Sequence, residues 1–373
     1  MCGRSLSIPE LLLARACRLG SLRAAMTVCS ARSSSGRSVP AGGLRQGMTE
    51  QTMGETGARQ VLVTGGAGFI GSHVVERLIA AGHRVTVLDD LSTGSLDNLA
   101  AVADHGDFRF IRGDVTRPLG PQLGDLVPTH VVHLAAQVSV IASMADPIRD
   151  LEQNLVGTLR VIELARDRGV SKVVFASSAA TYGDAPQPSH EGLVPQPLSP
   201  YGIHKLASEH HLRVAALAHG VPTLSLRFFN VYGPRQVPTS SYAGVISIFL
   251  ARAARGEPLV LFGGGVATRD FVYVKDLARA IALGLERGPG RGEALNVGTG
   301  SAVSVRTLAE TIRAVTGSSS ALSDAPARAG EALHSRAEVA RIAAALDWRA
   351  NTSLAEGLAE TARWISEAPT PRS

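Results

Sequence analysis

Short apolar segments rich in β-branched residues alternate with helical segments over much of this chain. The predicted strands are Gln60–Thr64, 85–88, 108–111, 131–134, 173–176 and 223–226. Helical periodicity covers 68–81, 148–168 and 203–218 between those strands. Strands that are apolar on both faces and separated by helices pair in parallel through right-handed crossovers. The sequence therefore predicts an α/β fold with a doubly wound parallel sheet.

Beyond Gly233 this alternation weakens, and proline and glycine become more frequent. Further helices are predicted near 243–255, 304–316 and 336–346. They indicate a smaller C-terminal α/β lobe. The segments 271–280 and 294–297 are predicted to return to the main sheet, so the lobes interleave. The predicted division is a leader over 1–58, a main domain over 59–235 with returns near 268–298, and a mostly separate lobe over 236–373.

The leader carries most of the formal charge of +5, because residues 1–58 hold seven arginines and three acidic residues. The rest of the chain has no basic stripe, which argues against nucleic-acid binding. No apolar run reaches the roughly 20 residues of a membrane span. The composition of the leader fits an organelle transit peptide, or a disordered extension ahead of a later start at Met48 or Met53.

All three cysteines, Cys2, Cys17 and Cys29, fall in the leader, so the main body has no disulfide and no thiolate metal site. Several other polar side chains invite a metal interpretation, namely His133, Gln137, His190, His204, His210 and His211. Their spacings match no familiar ligand pattern. We therefore expect no metal.

Gly65, Gly68 and Gly71 are spaced three residues apart, directly after the first predicted strand. The first glycine allows a tight turn, and the second lets the backbone approach a pyrophosphate at the positive N-terminus of the helix. The third allows the helix to pack closely on the strand. This context predicts a Rossmann-type dinucleotide site. A nucleotide-triphosphate loop is excluded, because no Gly-Lys-Ser/Thr follows the glycines.

Two acidic residues follow neighbouring strands of this predicted site. Asp89 stands at the end of the second strand, where a carboxylate accepts hydrogen bonds from ribose hydroxyls. Because a carboxylate there repels a 2′-phosphate, it favours NAD over NADP. The alternative for Asp89 is a turn or cap residue. Asp114 follows the third strand and is a candidate to hold the adenine amine.

Tyr201 precedes Lys205 by four residues in a predicted helix, so both side chains lie on one face. An ammonium beside a phenol favours the phenolate, which predicts a lowered pKa for Tyr201. Ser178 follows a predicted strand, and its hydroxyl can complete a proton relay. Beside a dinucleotide these groups predict hydride chemistry at a carbon bearing a hydroxyl. The alternative is that Tyr201 is a core tyrosine.

A series of motifs in order makes this chain resemble a known family. The motifs are TGGAGFIG, LDDLSTG, GDV, HLAAQ, NLVGT, SSAATYG, SPYGIHK, RFFNVYGPR, TRDFVYVKD and NVGTG. Over residues 60 to about 366 the chain resembles the extended short-chain dehydrogenase/reductase family, in particular its nucleotide-sugar 4-epimerases. The resemblance implies NAD-dependent 4-epimerisation of a UDP-hexose through a 4-keto intermediate. It also implies a cytoplasmic homodimer.

The same resemblance implies roles for individual residues. Tyr201 is the general base at the sugar 4-hydroxyl, Lys205 binds the nicotinamide ribose, and Ser178 hydrogen-bonds the reacting oxygen. NAD stays bound between turnovers. The implied cofactor-binding residues are Gly65, Gly68, Phe69, Ile70, Gly71, Asp89, Asp114, Val115, Leu134, Ala135, Ala136, Asn154, Tyr201, Lys205 and Phe228.

A nucleotide-diphosphate sugar is the implied partner. Arg269 and Arg328 match the family's diphosphate-binding arginines, whose guanidinium forks suit phosphate oxygens. Asn230 matches its diphosphate-contacting asparagine. Glu331 stands where an acid, more commonly aspartate, contacts the nucleoside ribose.

Ser335 matches a position that lines the pocket near the sugar 2-substituent. Its small side chain implies space for an N-acetyl group, so UDP-N-acetylglucosamine is an expected second substrate. The alternative is that Ser335 is the N-cap of the helix predicted at 336–346.

Two alternatives to epimerisation stay open. The family's 4,6-dehydratases carry Asp-Glu just after the position of Ser178, and its decarboxylases carry a glutamate there. This chain has Ala179 and Ala180, which cannot transfer protons, so both reactions lose support. The other alternative is a non-catalytic NAD-binding protein, because a fold alone does not determine function.

Overall fold

The computed structural model describes residues 57–237, 244–327 and 333–367, so the predicted leader lies almost wholly outside the described residues. The strands are β1 (Gln60–Thr64), β2 (Arg84–Asp89), β3 (Phe108–Arg112), β4 (His130–His133), β5 (Lys172–Ser178), β6 (Thr223–Phe228), β7 (Asn230–Tyr232), β8 (Leu259–Phe262), β9 (Thr268–Arg269), β10 (Phe271–Tyr273), β11 (Arg291–Val297), β12 (Val303–Ser304), β13 (Leu322–Ala325) and β14 (His334–Ser335). The helices are α1 (Phe69–Ala80), α2 (Leu119–Leu123), α3 (Val140–Ala145), α4 (Pro147–Leu151), α5 (Gly157–Asp167), α6 (Pro200–His219), α7 (Val245–Ala254), α8 (Val274–Arg287), α9 (Val305–Thr316), α10 (Ala340–Leu346) and α11 (Leu354–Glu367).

The main sheet has seven strands in the order β3-β2-β1-β4-β5-β6-β11, and all its pairings are parallel. Successive strand residues face opposite sides. Val61 and Val63 join a core with α1 and α8, whereas Leu62 joins a core with α5 and α6. Both faces of the sheet are thus covered, which explains its largely apolar inner strands and confirms the predicted doubly wound α/β fold.

The strand order reverses direction between β1 and β4. From β1 the chain continues to β2 on one side, and from β4 it continues to β5 on the other. In open parallel sheets the loops at the carboxyl ends of such strands diverge and leave a crevice that binds ligands. Gly65 follows β1 and Leu134 follows β4, so both lie at this crevice.

The helix that carries Tyr201 has clear local start and stop signals. The Ser199 hydroxyl accepts a hydrogen bond from the Gly202 amide at 3.1 Å, and Pro200 occupies the first turn. The helix ends at Gly220, which has φ +67°. These signals place α6 three residues earlier than the periodicity predicts, and they position Tyr201 in its first turn.

Two predicted elements differ from the structure. The helix predicted at 148–168 is divided into α4 and α5 by a π-helical turn at Glu152–Val156. The prediction that 271–280 returns to the main sheet is wrong, because no strand of this segment joins that sheet. β10 pairs with β7 in a separate two-stranded sheet, and α8 follows it and packs on a face of the main sheet. The predicted return at 294–297 is confirmed, because β11 is an edge strand of that sheet.

A third core forms the smaller lobe, where α7, α9 and α11 pack with β8 and β10. Leu259 of β8, Ile312 of α9 and Leu358 of α11 are fully buried there. Within the described ranges, no helix is both long enough and apolar enough to cross a membrane.

Candidate active site

A cavity of about 1210 Å³ opens at the carboxyl ends of the main sheet and extends toward the smaller lobe. Its lining brings together most of the residues that the sequence predicts as a site, although they are dispersed along the chain. These residues are Gly65, Gly68, Phe69, Ile70, Gly71, Asp89, Asp114, Val115, Leu134, Ala135, Ala136, Ser178, Tyr201, Lys205, Phe228, Asn230 and Arg269.

The glycine turn has the geometry that a dinucleotide requires. Gly65 has φ +72°, and a Cβ there would lie 2.6 Å from the Ala135 amide nitrogen. At Gly71 a Cβ would lie 2.1 Å from the Gly65 carbonyl oxygen, so only glycine lets α1 begin this close to β1. At Gly68 a Cβ would contact only the Gly65 oxygen, at 3.3 Å. The N-terminus of α1 therefore faces the cavity, and its first amides suit phosphate. These features fit NAD.

Asp89 is buried in the wall of the cavity and also organises the glycine turn. Its Oδ2 accepts a hydrogen bond from the Ala67 amide at 3.0 Å, and its Oδ1 accepts one from the Leu91 amide at 2.9 Å. Burial raises the pKa of this carboxyl, and the two amide hydrogen bonds oppose that rise. Each oxygen keeps a lone pair for a ribose hydroxyl. Asp89 can therefore organise the glycine turn and also bind the ribose hydroxyls.

The structure brings Tyr201, Lys205 and Ser178 to one wall of the cavity. The Lys205 Nζ donates a hydrogen bond to the Ala176 carbonyl oxygen at 2.9 Å and lies 5.8 Å from the centre of the Tyr201 ring. The Ser178 hydroxyl accepts a hydrogen bond from the Ala180 amide at 3.1 Å. This serine is half-buried, whereas the tyrosine and the lysine are buried. The arrangement can pass a proton between the cavity and the Tyr201 hydroxyl.

The predicted lowering of the Tyr201 pKa is wrong for the protein groups alone. Burial raises the pKa of Tyr201 to about 12, although a hydrogen bond with Ser178 lowers it. Burial also lowers the pKa of Lys205 to about 7, although Asp150 and Glu209 raise it. Desolvation of both side chains therefore outweighs their mutual effect. The protein groups alone therefore favour the protonated phenol at neutral pH.

A buried ion pair supports the catalytic helix behind Lys205. The Glu209 carboxylate accepts hydrogen bonds from the Arg227 guanidinium of β6 at 2.6 and 2.9 Å. It also accepts one from the Ser177 hydroxyl of β5. The guanidinium stacks 4.7 Å from the centre of the Tyr182 ring. These contacts fix the rotation of α6 against the sheet, and with it the direction of the Tyr201 side chain.

The structure places the predicted substrate residues unevenly. Asn230 and Arg269 line the cavity. Ser335 is half-buried in β14 beside Arg269 of β9, and it is not among the residues that line the cavity. It is also not an N-cap, because α10 begins at Ala340 after Val339. Arg328 and Glu331 lie outside the described residues.

Asn154 lies behind the cavity wall. Its buried amide donates hydrogen bonds to the Gln137 carbonyl oxygen and to Asp150 Oδ1, both at 2.9 Å. In this position it shapes the site without lining it.

Several other cavity residues were not found by sequence reasoning. They are Asn98, Gln137, Arg149, Asp150, Arg235, Gln236, Phe249 and Arg252. Arg235 was within reach, because it ends the RFFNVYGPR motif and has φ +70°, a conformation rare outside glycine. Gln137 also ends a motif, HLAAQ, whereas the other six residues carry no local signal.

No cluster of three or more His, Cys, Asp or Glu side chains suited to a metal occurs in the described parts of the chain. His133, one of the histidines considered above, is buried between the hydroxyls of Thr64 and Thr158. Burial lowers its pKa to about 3, so it is neutral at physiological pH. It is a structural histidine of the core.

Comparisons with known proteins find a family model and several relatives that are similar to this chain. The model of the NAD dependent epimerase/dehydratase family matches residues 61–298. The chain is 40% identical over 310 residues to a UDP-glucose 4-epimerase of Mycolicibacterium smegmatis, covering 82% of this chain and 98% of that protein.

Two solved structures are similar over nearly their whole lengths. One is the UDP-glucose 4-epimerase of Thermus thermophilus in complex with NAD, with a TM-score of 0.76, 40% identity and coverage of 83% of this chain and 99% of that one. The other is the UDP-N-acetylglucosamine 4-epimerase of Methanobrevibacter ruminantium in complex with UDP-N-acetylmuramic acid. Its TM-score is 0.79 at 35% identity, with the same coverage.

Proposed function

We propose that this chain, which belongs to the NAD dependent epimerase/dehydratase family, catalyses the 4-epimerisation of a UDP-hexose. The observation that carries the proposal is the cavity that places Ser178, Tyr201 and Lys205 together with the glycine turn of a dinucleotide site. When bound, NAD supplies a hydride acceptor whose oxidised ring carries a positive charge.

The chain's own residues handle the proton and the substrate. In the proposed reaction the Tyr201 oxygen takes the proton of the sugar 4-hydroxyl and later returns it, and Ser178 hydrogen-bonds the reacting oxygen. Lys205 supplies a positive charge beside Tyr201 when it is protonated. Asn230 and Arg269 are proposed to hold the diphosphate, because amide and guanidinium donors suit its oxygens.

The residues after Ser178 favour epimerisation over elimination or decarboxylation. A short 3₁₀ turn at Ala179–Thr181 follows β5, and its first two residues are half-buried alanines. Elimination of water needs a second acid/base pair near the sugar, and this turn offers none. A non-catalytic role is disfavoured, because the complete Tyr201 and Lys205 pair faces the cavity.

The proposal is tested by incubating the purified protein separately with UDP-glucose, UDP-galactose, UDP-N-acetylglucosamine and UDP-N-acetylgalactosamine and separating the products. We expect interconversion within at least one pair. A 4-keto-6-deoxy product or release of carbon dioxide would instead assign the chain to another reaction of the family.

Acceptance of N-acetyl sugars stays a prediction that depends on Ser335. The comparison is between the native protein and Ser335→Tyr. If Ser335 leaves space for the substituent, the N-acetyl substrate loses far more activity than the plain hexose. Equal losses would show that Ser335 acts only through the strand that it shares with Arg269.

We expect that the purified protein carries NAD and not NADP. Asp89 is buried beside the glycine turn, and a 2′-phosphate would meet its carboxylate and that of the exposed Asp90. The measurement is chromatography of the nucleotide released by acid denaturation. Release of NADP alone would contradict the role of Asp89. The homodimeric state and the cytoplasmic location stay predictions of the resemblance.

A further inference from the structure

A buried carboxylate lines the same cavity as Tyr201 and Lys205 and has no role in the proposed reaction. Asp150 lies near the end of α4, its side chain is fully buried, and the residue lines the same cavity as Tyr201 and Lys205. Its Oδ2 accepts a hydrogen bond from the Nδ1 of His204 at 2.6 Å. Its Oδ1 accepts hydrogen bonds from the amides of Gln137 at 2.7 Å and Asn154 at 2.9 Å. Three donors therefore hold one carboxylate in one orientation.

This arrangement connects three separate pieces of chain to the catalytic helix. Gln137 comes from the loop after β4, Asn154 comes from the π-helical turn before α5, and His204 lies between Tyr201 and Lys205 on α6. The Ser208 hydroxyl, one helical turn further on, donates to the Asn154 carbonyl oxygen at 3.1 Å. His204 and Ser208 thus form a polar ridge of α6 against the segment that carries Asp150.

Asp150 acts on charged neighbours from several elements. Its charge raises the pKa values of both Tyr201 and Lys205 on α6. Glu209, on the same helix, also raises the pKa of Lys205, but its own charge is matched by Arg227 of β6. From β4, His133 faces Lys205 as a neutral side chain. The adjacent Arg149 and Glu152 are exposed, so solvent screens their charges.

We propose that Asp150, held by His204, Gln137 and Asn154, is a positioning residue that acts through Lys205: its buried negative charge favours the ammonium form of Lys205. A buried lysine readily loses its proton near neutral pH unless a counter-charge is close. His204 supplies the strongest of the three restraints by distance, and it keeps the carboxylate from turning toward solvent. The consequence for turnover rests on the proposed function, whereas the charge of Lys205 does not.

The lysine content of this chain makes the charge of Lys205 directly measurable. The whole sequence contains three lysines, Lys172, Lys205 and Lys275. Protein labelled with ¹³Cε-lysine therefore gives three signals, and Lys172→Arg and Lys275→Arg assign them. Lys172 is an internal reference, because it is bound to backbone oxygens at Gly288 and Pro289 on another part of the sheet.

The experiment is a pH titration of the ¹³Cε signals in the native protein and in Asp150→Asn. Loss of the carboxylate charge removes an interaction that favours the ammonium, so we expect the Lys205 midpoint to fall by about one pH unit. The Lys172 midpoint stays unchanged. His204→Asn is the matched control, because asparagine keeps a donor near the Nδ1 position and leaves Asp150 charged. In this control the Lys205 midpoint stays unchanged or rises.

An unchanged Lys205 midpoint in Asp150→Asn would overturn the inference. If Asp150→Asn does not fold, Asp150→Ser removes the same charge while keeping an acceptor for Gln137 or Asn154. With a substrate that the protein turns over, kcat is also measured against pH. In the variant that lacks the Asp150 charge, both limbs of this pH profile move to lower pH. A purely structural role of Asp150 would lower kcat without moving either limb. If the Lys205 midpoint falls in Asp150→Asn but the native protein epimerises no UDP-sugar, the inference stands and the proposed function is rejected.

Discussion

Tyr201→Phe is expected to lower kcat for the interconversion of UDP-glucose and UDP-galactose by about 10²–10⁴-fold, the usual contribution of a general acid or base. The substitution removes only the hydroxyl, and the ring stays in its buried position at the start of α6. We expect KM to change little, because in the proposed complex the diphosphate contacts and not the reacting hydroxyl hold the nucleotide sugar. The measurement is kcat and KM at saturating NAD.

Tyr273→Phe is the matched control for this variant. Tyr273 is also buried, but it is not among the residues that line the cavity. Its loss of a phenol hydroxyl should therefore leave kcat within a few-fold of the native value. Near-native turnover of Tyr201→Phe would move the acid and base role to another side chain and reject the assignment.

Gly71→Ala is expected to abolish retention of NAD and to destabilise the fold. A Cβ at this position would lie 2.1 Å from the Gly65 carbonyl oxygen and 2.7 Å from the Gly66 Cα, both backbone atoms that cannot turn away. The glycine turn must then open, and α1 must move off β1. Overpacking of this kind costs about 1–3 kcal/mol or more. The measurements are the NAD content after gel filtration and the thermal midpoint of unfolding.

Gly106→Ala is the control for Gly71→Ala, because nothing lies within 4 Å of a Cβ at that position and its φ needs no glycine. We expect this variant to keep both its NAD and its thermal midpoint. If Gly71→Ala retained a full complement of NAD with an unchanged midpoint, the turn at Gly65 would not be the pyrophosphate cradle.

Local sequence determined the main architecture of this protein. The largely apolar strands β1, β2, β4, β5 and β6 indicated a sheet covered on both faces, and the intervening helices favoured parallel pairing. The spacing of Gly65, Gly68 and Gly71 indicated the dinucleotide site because the three glycines stand in one strand–turn–helix unit, although the close contact at Gly65 is with Ala135 after β4. For the same reason Tyr201 and Lys205 could be paired from their helical spacing alone.

Some assignments failed because the deciding contact lies far away in the chain. The segment 271–280 has the apolar pattern of a strand, but only β7 is available to pair with β10, and the rest of the segment covers the sheet as α8. Ser335 precedes a predicted helix by one residue, yet its pairing with Arg269 makes it part of a strand. A one-dimensional pattern does not contain such pairings.

The electrostatics of the candidate site were decided by tertiary structure. Sequence spacing correctly placed an amine beside the Tyr201 phenol, but it could not show how far both are withdrawn from water, and that desolvation sets the direction of both pKa shifts. It also could not show that Asp150 and His204, 54 positions apart in the chain, meet at 2.6 Å beside that pair. The sequence by itself determined which reactive groups this protein has, whereas the packing of α4, α6 and the sheet decided how much water and which charges surround them, because burial and Coulomb interactions depend on distances in space.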